Sequence, residues 1–355
     1  MPKFDNIVLL SDGIRGHYHQ SLGIAQWLER MGGGRLSEPI DVPKLSGMNK
    51  LLKLKLFVQG LAVHGGSYSR EWLKSVGFGI RNVKPNTLFI SAGSSAAPFT
   101  LACAKATHNK SAVVMTPSVL GTKPFDYAII PDHDKHDPRD KNILTTIGAP
   151  NHIYQPELEA VGASFFAGRD FGDNKIVAVL VGGTDNNYRP SAAWAEDALG
   201  ALRYIDGIKL LITTSRRTEK TLDDRIEAMF GGDSSLEYML IMSKNPRVNA
   251  LTAFLGKATH VLVTEDSVSM VSEAVTAGFR VGLLRVPRTS GFLKRLVGAG
   301  PQRFDNMFAK LASRNLLEDL GRVPDYREFF SAPEQRHHQD FSEAKRAAEW
   351  ILNHA

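Results

Sequence analysis

The chain has 355 residues, 43% apolar and 23% charged, with 31 Gly and 17 Pro. That composition excludes a disordered, collagenous or coiled-coil protein and leaves room for about two compact domains. A single cysteine, Cys103, and a net charge of +6 exclude a disulfide framework and a cysteine-based zinc site, point to a reducing, cytoplasmic compartment, and argue only weakly for an anionic partner.

The first apolar run, Ile7 to Leu10, lies between Asp5 and Asp12. It is too short for a signal peptide and predicts a first buried strand. The loop after it, Ser11-Asp12-Gly13-Ile14-Arg15-Gly16-His17, leads into the helical pattern Leu22, Ile24, Ala25, Trp27, Leu28. Gly13 and Gly16 permit a sharp turn and close approach of a ligand, and free amides at a helix start favour an anion. This is neither a GxGxxG fingerprint nor a P-loop. An ordinary turn capped by Asp12 is the alternative, but it has no need of His17 or Gln20.

Between Lys44 and Lys84 stand eight Lys/Arg and one acid, Glu71. On a helix over 48–63, Lys50 and Lys53 share a face and Lys55 falls on another, so the stripe is not cleanly amphipathic. An anionic membrane surface, or a greasy acceptor-binding face, competes here with a core helix that has a solvated rim. The rest of the chain is near neutral and carries no RNA-recognition or zinc-finger pattern, so no nucleic-acid partner is expected. Nowhere is there an apolar stretch long enough to span a membrane.

Further strands are predicted at Thr87 to Ser91, Ser111 to Met115, Asp126 to Ile130 and Ile143 to Ile147. The run Pro131-Asp132-His133-Asp134-Lys135-His136-Asp137 contains an Asp-x-Asp, but Lys135 and Arg139 offset its acids and no second ligand pair follows. A solvated or domain-interface loop is expected there, and no metal site.

The segment Tyr154 to Asn174 lacks strand character, and the domain boundary is placed in it, giving domains 1–155 and 156–332. A second strand series follows at Lys175 to Val181, Ile208 to Thr213, Leu236 to Ile241, His260 to Val263 and Arg280 to Leu284. The first of these runs into Gly182-Gly183-Thr184-Asp185, whose amides could face a phosphate. The second ends in Thr213-Thr214-Ser215-Arg216-Arg217-Thr218. Arginines are misplaced for the dipole at a helix start unless an anion sits there or Asp223 and Asp224 pair with them.

After His260 to Val263 comes Thr264-Glu265-Asp266-Ser267-Val268-Ser269-Met270, with Glu273 about two turns further in. Hydroxyls and free amides at a helix start suit a diphosphate, and Glu273 suits ribose hydroxyls. Capping by Asp266 or Ser267 alone leaves Thr264, Glu265, Ser269 and Glu273 unexplained. Residues 333–355 read as a terminal helix whose apolar face, through Ala344, Ala347, Ala348 and Ile351, must dock on something. The fold class expected is α/β, two facing doubly wound Rossmann-like domains, with ligands beyond the carboxyl ends of the strands.

The blocks SDGIRGH, HDKHDPRDKNILTTIGAPN, VGGTDNNYR, TSRRT, KNPRVNALTAFLGKATHVLVTEDSVSMVSEA and RFDNMFAKL, in this order from about residue 8 to 312, resemble the family named for a plant mitochondrial-fission factor, whose bacterial members carry a glycosyltransferase label. The arrangement is similar to GT-B glycosyltransferases, including the lipid-linked GlcNAc transferase of peptidoglycan synthesis. The resemblance implies a nucleotide diphosphate between Gly183, Thr184, Ser215, Arg216 and the helix start at Ser267 to Met270, with Glu273 toward the ribose; Arg217, Thr264, Glu265 and Asp266, from the reading of the same loops, complete the candidate donor site. Gly13, Gly16 and His17 would serve from the first domain, with His17 or Asp12 as the base.

Two positions depart from the family. Thr184-Asp185-Asn186-Asn187 stands where members often have Pro-Ser-Lys-His, and Asn306 where many have His. The implied activity is metal-independent transfer of a sugar from a nucleotide diphosphate to a lipid-linked or envelope saccharide acceptor, with no other cofactor. A non-enzymatic adaptor and a sugar-nucleotide epimerase are the alternatives.

Overall fold

The computed structural model describes residues 3–45, 66–80, 82–134, 140–248, 250–289, 302–331 and 340–355. Lys50, Lys53 and Lys55, with the membrane face expected of them, lie outside the described residues, as does the 135–139 part of the Asp/His run. The chain divides into two compact units, Met1–His152 with Ser342–Ala355, and Ile153–Phe341. No helix among the described residues is long and apolar enough to cross a membrane.

Unit 1 is built on β1 (Asn6–Ser11), α1 (Arg15–Arg30), β2 (Arg35–Leu36), β3 (Ile40–Asp41), β4 (Thr87–Ala92), α2 (Ala97–Thr107), β5 (Lys110–Val114), β6 (Tyr127–Pro131) and β7 (Ile143–Thr146). Its sheet runs β2-β1-β4-β5-β6-β7, with β3 also on β1, and every pairing is parallel. Strands β1, β4, β5 and β6 are buried on both faces, which is why they appear in the sequence as unbroken apolar runs rather than alternating ones.

Most predicted strands are displaced by a residue at one or both ends, and two of these shifts have a visible cause. β5 stops at Val114 because Met115 takes a left-handed φ of 70°. β6 starts only at Tyr127, because the Asp126 carboxylate accepts from the Ser111 amide and hydroxyl, each at 2.9 Å, and so caps the sheet edge.

Unit 2 holds α3 (Gln155–Phe165), β8 (Lys175–Leu180), α4 (Ala192–Leu199), β9 (Ile208–Thr213), α5 (Lys220–Phe230), β10 (Leu236–Leu240), α6 (Leu251–Lys257), β11 (His260–Thr264), α7 (Val268–Thr276), β12 (Val281–Leu284), α8 (Gln302–Ser313), β13 (Leu317–Asp319) and α9 (Tyr326–Ser331). The sheet is again parallel, in the order β10-β9-β8-β11-β12-β13. The segment 154–174, expected to carry the boundary, therefore includes a helix of unit 2.

Helix α3 packs on α6 through paired glycines. A Cβ on Gly256 would lie 1.9 Å from the Leu158 carbonyl oxygen, and one on Gly162 2.8 Å from the Gly256 carbonyl carbon. Both obstacles are backbone, so neither can rotate away. Gly256→Ala should destabilise unit 2 by about 1 to 3 kcal/mol, the usual scale of overpacking, and lower its melting midpoint by several degrees. An unchanged midpoint in a calorimetric scan would mean that the helices do not cross here.

The last helix, α10 (Glu343–His354), belongs to unit 1. Its buried face, Ala344, Ala347, Ala348 and Ile351, joins Ile24, Ala25 and Leu28 of α1 in one core cluster. The Glu343 carboxylate accepts the Ile147 amide at 3.1 Å.

Candidate functional site

In unit 2 the chain runs from β8 outward through β9 to β10 and resumes on the other side at β11. The switch point, where ligands bind in sheets of this kind, lies beyond the carboxyl ends of β8 and β11. Three of the loops singled out in the sequence meet there.

Gly182 donates its amide to Thr264 Oγ1 at 2.7 Å, and Gly183 donates to Asp266 Oδ2 at 2.6 Å. Arg217 reaches the same Asp266 Oδ2 at 3.2 Å and the Gly183 carbonyl at 3.2 Å, while Thr184 donates its amide to the Arg217 carbonyl at 3.0 Å. These approaches require glycine. A Cβ on Gly182 would lie 2.0 Å from the Asp266 carboxylate, and one on Gly183 2.2 Å from the Arg217 carbonyl carbon.

Gly183 thus does not present a free amide; Asp266 already takes it. The Asp266 side chain is wholly buried, and its Oδ1 has no hydrogen-bond partner among the described residues. Burial pushes its carboxyl up to about 6, against the opposing pull of the Thr264 hydroxyl, the Arg217 guanidinium and the Gly183 amide.

Helix α7 starts beside this cluster. No side chain caps it, Ser267 included, and among the described residues the amides of Val268, Ser269 and Met270 have no acceptor. Three adjacent uncapped amides, with the helix dipole behind them, are the kind of helix start that suits an anion. Glu273 is buried further along the same helix.

The remaining predicted residues divide. Ser215 is buried and bonded to Thr218, and its Oγ accepts the Arg217 amide at 3.2 Å. The Thr184 hydroxyl donates to Glu219 at 2.8 Å. Arg216 is exposed, with its guanidinium on the Pro246 carbonyl at 3.3 Å. Neither arginine pairs with Asp223 or Asp224: Asp223 accepts from Ser243 and Asp224 from Lys220. Glu265 turns away from the loop cluster. It accepts from the Val286 amide at 3.1 Å and from the guanidiniums of Arg285 and Arg288, at the edge of a charged cleft of about 610 Å³ that Asp305, Asp319 and Arg322 also line.

Unit 1 has its switch point between β1 and β4, and His17 stands there. Its Nδ1 lies 2.9 Å from Asp12 Oδ2, and Asp12 Oδ1 accepts the Ile14 amide at 3.1 Å. Gly13, at a φ of +78°, makes the turn. Asp12 is almost fully buried and His17 partly open, so Asp12 orients the ring and leaves Nε2 as the nitrogen able to accept a proton. Gly16 has open space around it.

Sequence reasoning passed over Gly93, in the Ser91-Ala92-Gly93-Ser94-Ser95 run after β4. A Cβ there would sit 2.5 Å from His17 Nδ1 and Cε1, so the ring rests on bare backbone. It also passed over His19 and His152, whose ring centroids are 4.2 Å apart. Burial, with His19 and Arg15 nearby, pushes the His152 imidazole down to about 4. The Gly-Ser run was a legible signal for the first; nothing in the spacing announced the second.

Residues 15–355 match the family described as mitochondrial fission ELM1. No curated protein matches the chain. Among solved structures, the S. aureus MnaA–UDP co-structure aligns at 12% identity and a TM-score of 0.53, over 99% of this chain and 96% of that one. A UDP-N-acetylglucosamine 2-epimerase, described as such only provisionally, from Listeria monocytogenes aligns at 11% identity and 0.49, over 98% and 95%. The glycosyltransferase SnogD from Streptomyces nogalater aligns at 12% and 0.46, over 99% and 94%. The likeness is one of fold, two Rossmann-like α/β units of the GT-B class.

Proposed function

The chain belongs to the mitochondrial fission ELM1 family, and from that premise we propose that it is a metal-independent GT-B glycosyltransferase acting on a nucleotide-diphosphate sugar. The observation that carries the reading is the convergence, at the switch point of unit 2, of the Gly182-Gly183 loop, Arg217 and the uncapped amides of Val268, Ser269 and Met270. Open amides stand at every helix start; what points to an anion here is the Arg217 guanidinium and the glycine loop placed beside them.

In the reaction proposed, an acceptor hydroxyl attacks the anomeric carbon. The new glycosidic bond forms, the bond to the diphosphate breaks, and the acceptor's proton passes to His17 Nε2. Asp12 holds the ring and stabilises the imidazolium. The helix-end amides and Arg217 stabilise the leaving diphosphate, donors worth roughly 2.7 to 4 kcal/mol each in comparable sites. The family resemblance supports a lipid-linked or envelope saccharide as acceptor, and Glu273 as the ribose contact.

The test is a thermal-shift panel of the purified protein against UDP, GDP, CMP, dTDP, ADP and their sugars. A ligand at about 100 times its dissociation constant adds about 2.7 kcal/mol, and one nucleotide series is expected to raise the melting temperature by several degrees. Arg217→Ala should weaken that nucleotide about 10- to 100-fold, the scale of a lost charged hydrogen bond, and Arg216→Ala should weaken it less, since Arg216 points to the Pro246 carbonyl. No shift with any nucleotide would sink the reading in favour of an adaptor. Nucleotide binding with release of a free, isomerised sugar would make the protein an epimerase.

A further inference from the structure

Two donors that a bound diphosphate needs, the Gly183 amide and the Arg217 guanidinium, are held by one carboxylate oxygen of this chain, Asp266 Oδ2, at 2.6 and 3.2 Å. Among the described residues the second oxygen, Oδ1, is buried without a donor. We propose that Asp266 is a proton-carrying member of the diphosphate site, an internal stand-in for the anion that takes up one proton from solvent when a diphosphate binds. This rests on the nucleotide-site reading above.

The groups facing Asp266 can be named from every loop packed on it. Arg217 comes from the loop after β9, Asp185 from the loop after β8, where it lies 3.7 Å from Arg217, and the Thr264 hydroxyl from the end of β11. Glu265 is committed to Arg285 and Arg288. One guanidinium therefore already serves two carboxylates. A diphosphate brought to it adds two more negative charges, and like charges crowded on one cation do not all stay ionised.

Asp266 is the group that yields. Burial has already pushed its carboxyl up to about 6, whereas Asp185 is partly exposed. Once protonated, Asp266 releases Gly183 and Arg217 to the ligand, and its new O–H is a donor rather than a repelling charge. The sign follows. Below about pH 6 the proton is present before binding, and above it the proton must be taken up, so affinity falls as the pH rises.

Calorimetric titration with UDP-N-acetylglucosamine and with GDP-mannose tests this, because their esterified diphosphates carry no group that titrates near neutrality. Runs in two buffers of different ionisation enthalpy count protons. At about pH 7.5 the uptake is expected to approach one proton per bound sugar nucleotide and to fall to a minor fraction at about pH 5.5, with the association constant dropping about tenfold per unit between them once the pH exceeds about 6. Asp266→Asn, which keeps an acceptor for Gly183 and carries no charge, should bind at least about tenfold tighter than wild type at about pH 7.5, with no uptake and no pH slope.

Wild-type binding that is flat with pH and proton-neutral would overturn the proposal and leave the nucleotide site standing, as would uptake that persists in the variant. Failure of these two and of every other sugar nucleotide in the thermal-shift panel to bind at any pH would remove both. If Asp266→Asn does not fold, the wild-type proton count alone decides.

Discussion

His17→Ala is expected to lower sugar-nucleotide turnover by about 10² to 10⁴-fold, the usual contribution of a positioned general base, while changing donor affinity less than about twofold, because donor binding is assigned to unit 2. The expectation rests on geometry: Asp12 Oδ2 sits 2.9 Å from Nδ1, which places the ring and leaves Nε2 to accept. Asp12→Asn keeps the shape but loses the carboxylate that stabilises an imidazolium, so it should share most of the loss. Gly93→Ala offers an independent check. It supplies no reacting group itself, but its Cβ would stand 2.5 Å from the His17 ring and must swing His17 off its position. Release of nucleotide diphosphate, followed with a coupled assay, reads all three. A His17→Ala protein that turns over at the wild-type rate would remove the residue from the chemistry.

Gly183→Ala is expected to abolish nucleotide binding and to lower the melting midpoint of unit 2 as well. The added carbon would lie 2.2 Å from the Arg217 carbonyl carbon and 2.4 Å from its oxygen, backbone against backbone, where no side-chain rotation gives relief. To make room, the loop after β9 must retreat. That breaks the Thr184 amide to Arg217 carbonyl bond at 3.0 Å and shifts the Arg217 guanidinium from Asp266. Overpacking of this kind costs about 1 to 3 kcal/mol or more. Gly232→Ala is the matched control, since its Cβ would meet nothing within 4 Å, and it should leave both melting and binding unchanged. If Gly183→Ala still shows the full nucleotide shift, the diphosphate lies elsewhere.

The longer strands were legible because a parallel strand covered on both faces has no reason to alternate, and so it stands out as an uninterrupted aliphatic run. β2, β3 and β13 were not, being two or three residues long and indistinguishable from loop. The loops that meet at β8 and β11 were legible as glycines and hydroxyls following such runs. Which residue touches which was not, because the decisive contacts join distant positions: Gly183 with Asp266, His17 with Gly93, Glu265 with Arg285 and Arg288. The sequence shows that Glu265 and Asp266 are adjacent acids; only the fold reveals that one pairs with two arginines while its neighbour accepts an amide and, among the described residues, keeps one oxygen unserved.

The final helix belongs to the first unit, and this fixes an order of events during synthesis. A ribosome making the chain from its amino end produces the whole first sheet and then all of 153–341 before residues 343–354 exist. Until then the core cluster that Ile24, Ala25 and Leu28 of α1 share with Ala344, Ala347, Ala348 and Ile351 lacks the part of its cover that the last helix supplies. The nascent first unit therefore stays unsealed through the making of the second, a window in which a greasy stripe is open to chaperones or to other nascent chains. Protection of α1 amides from hydrogen exchange should appear only in nascent chains long enough to include α10.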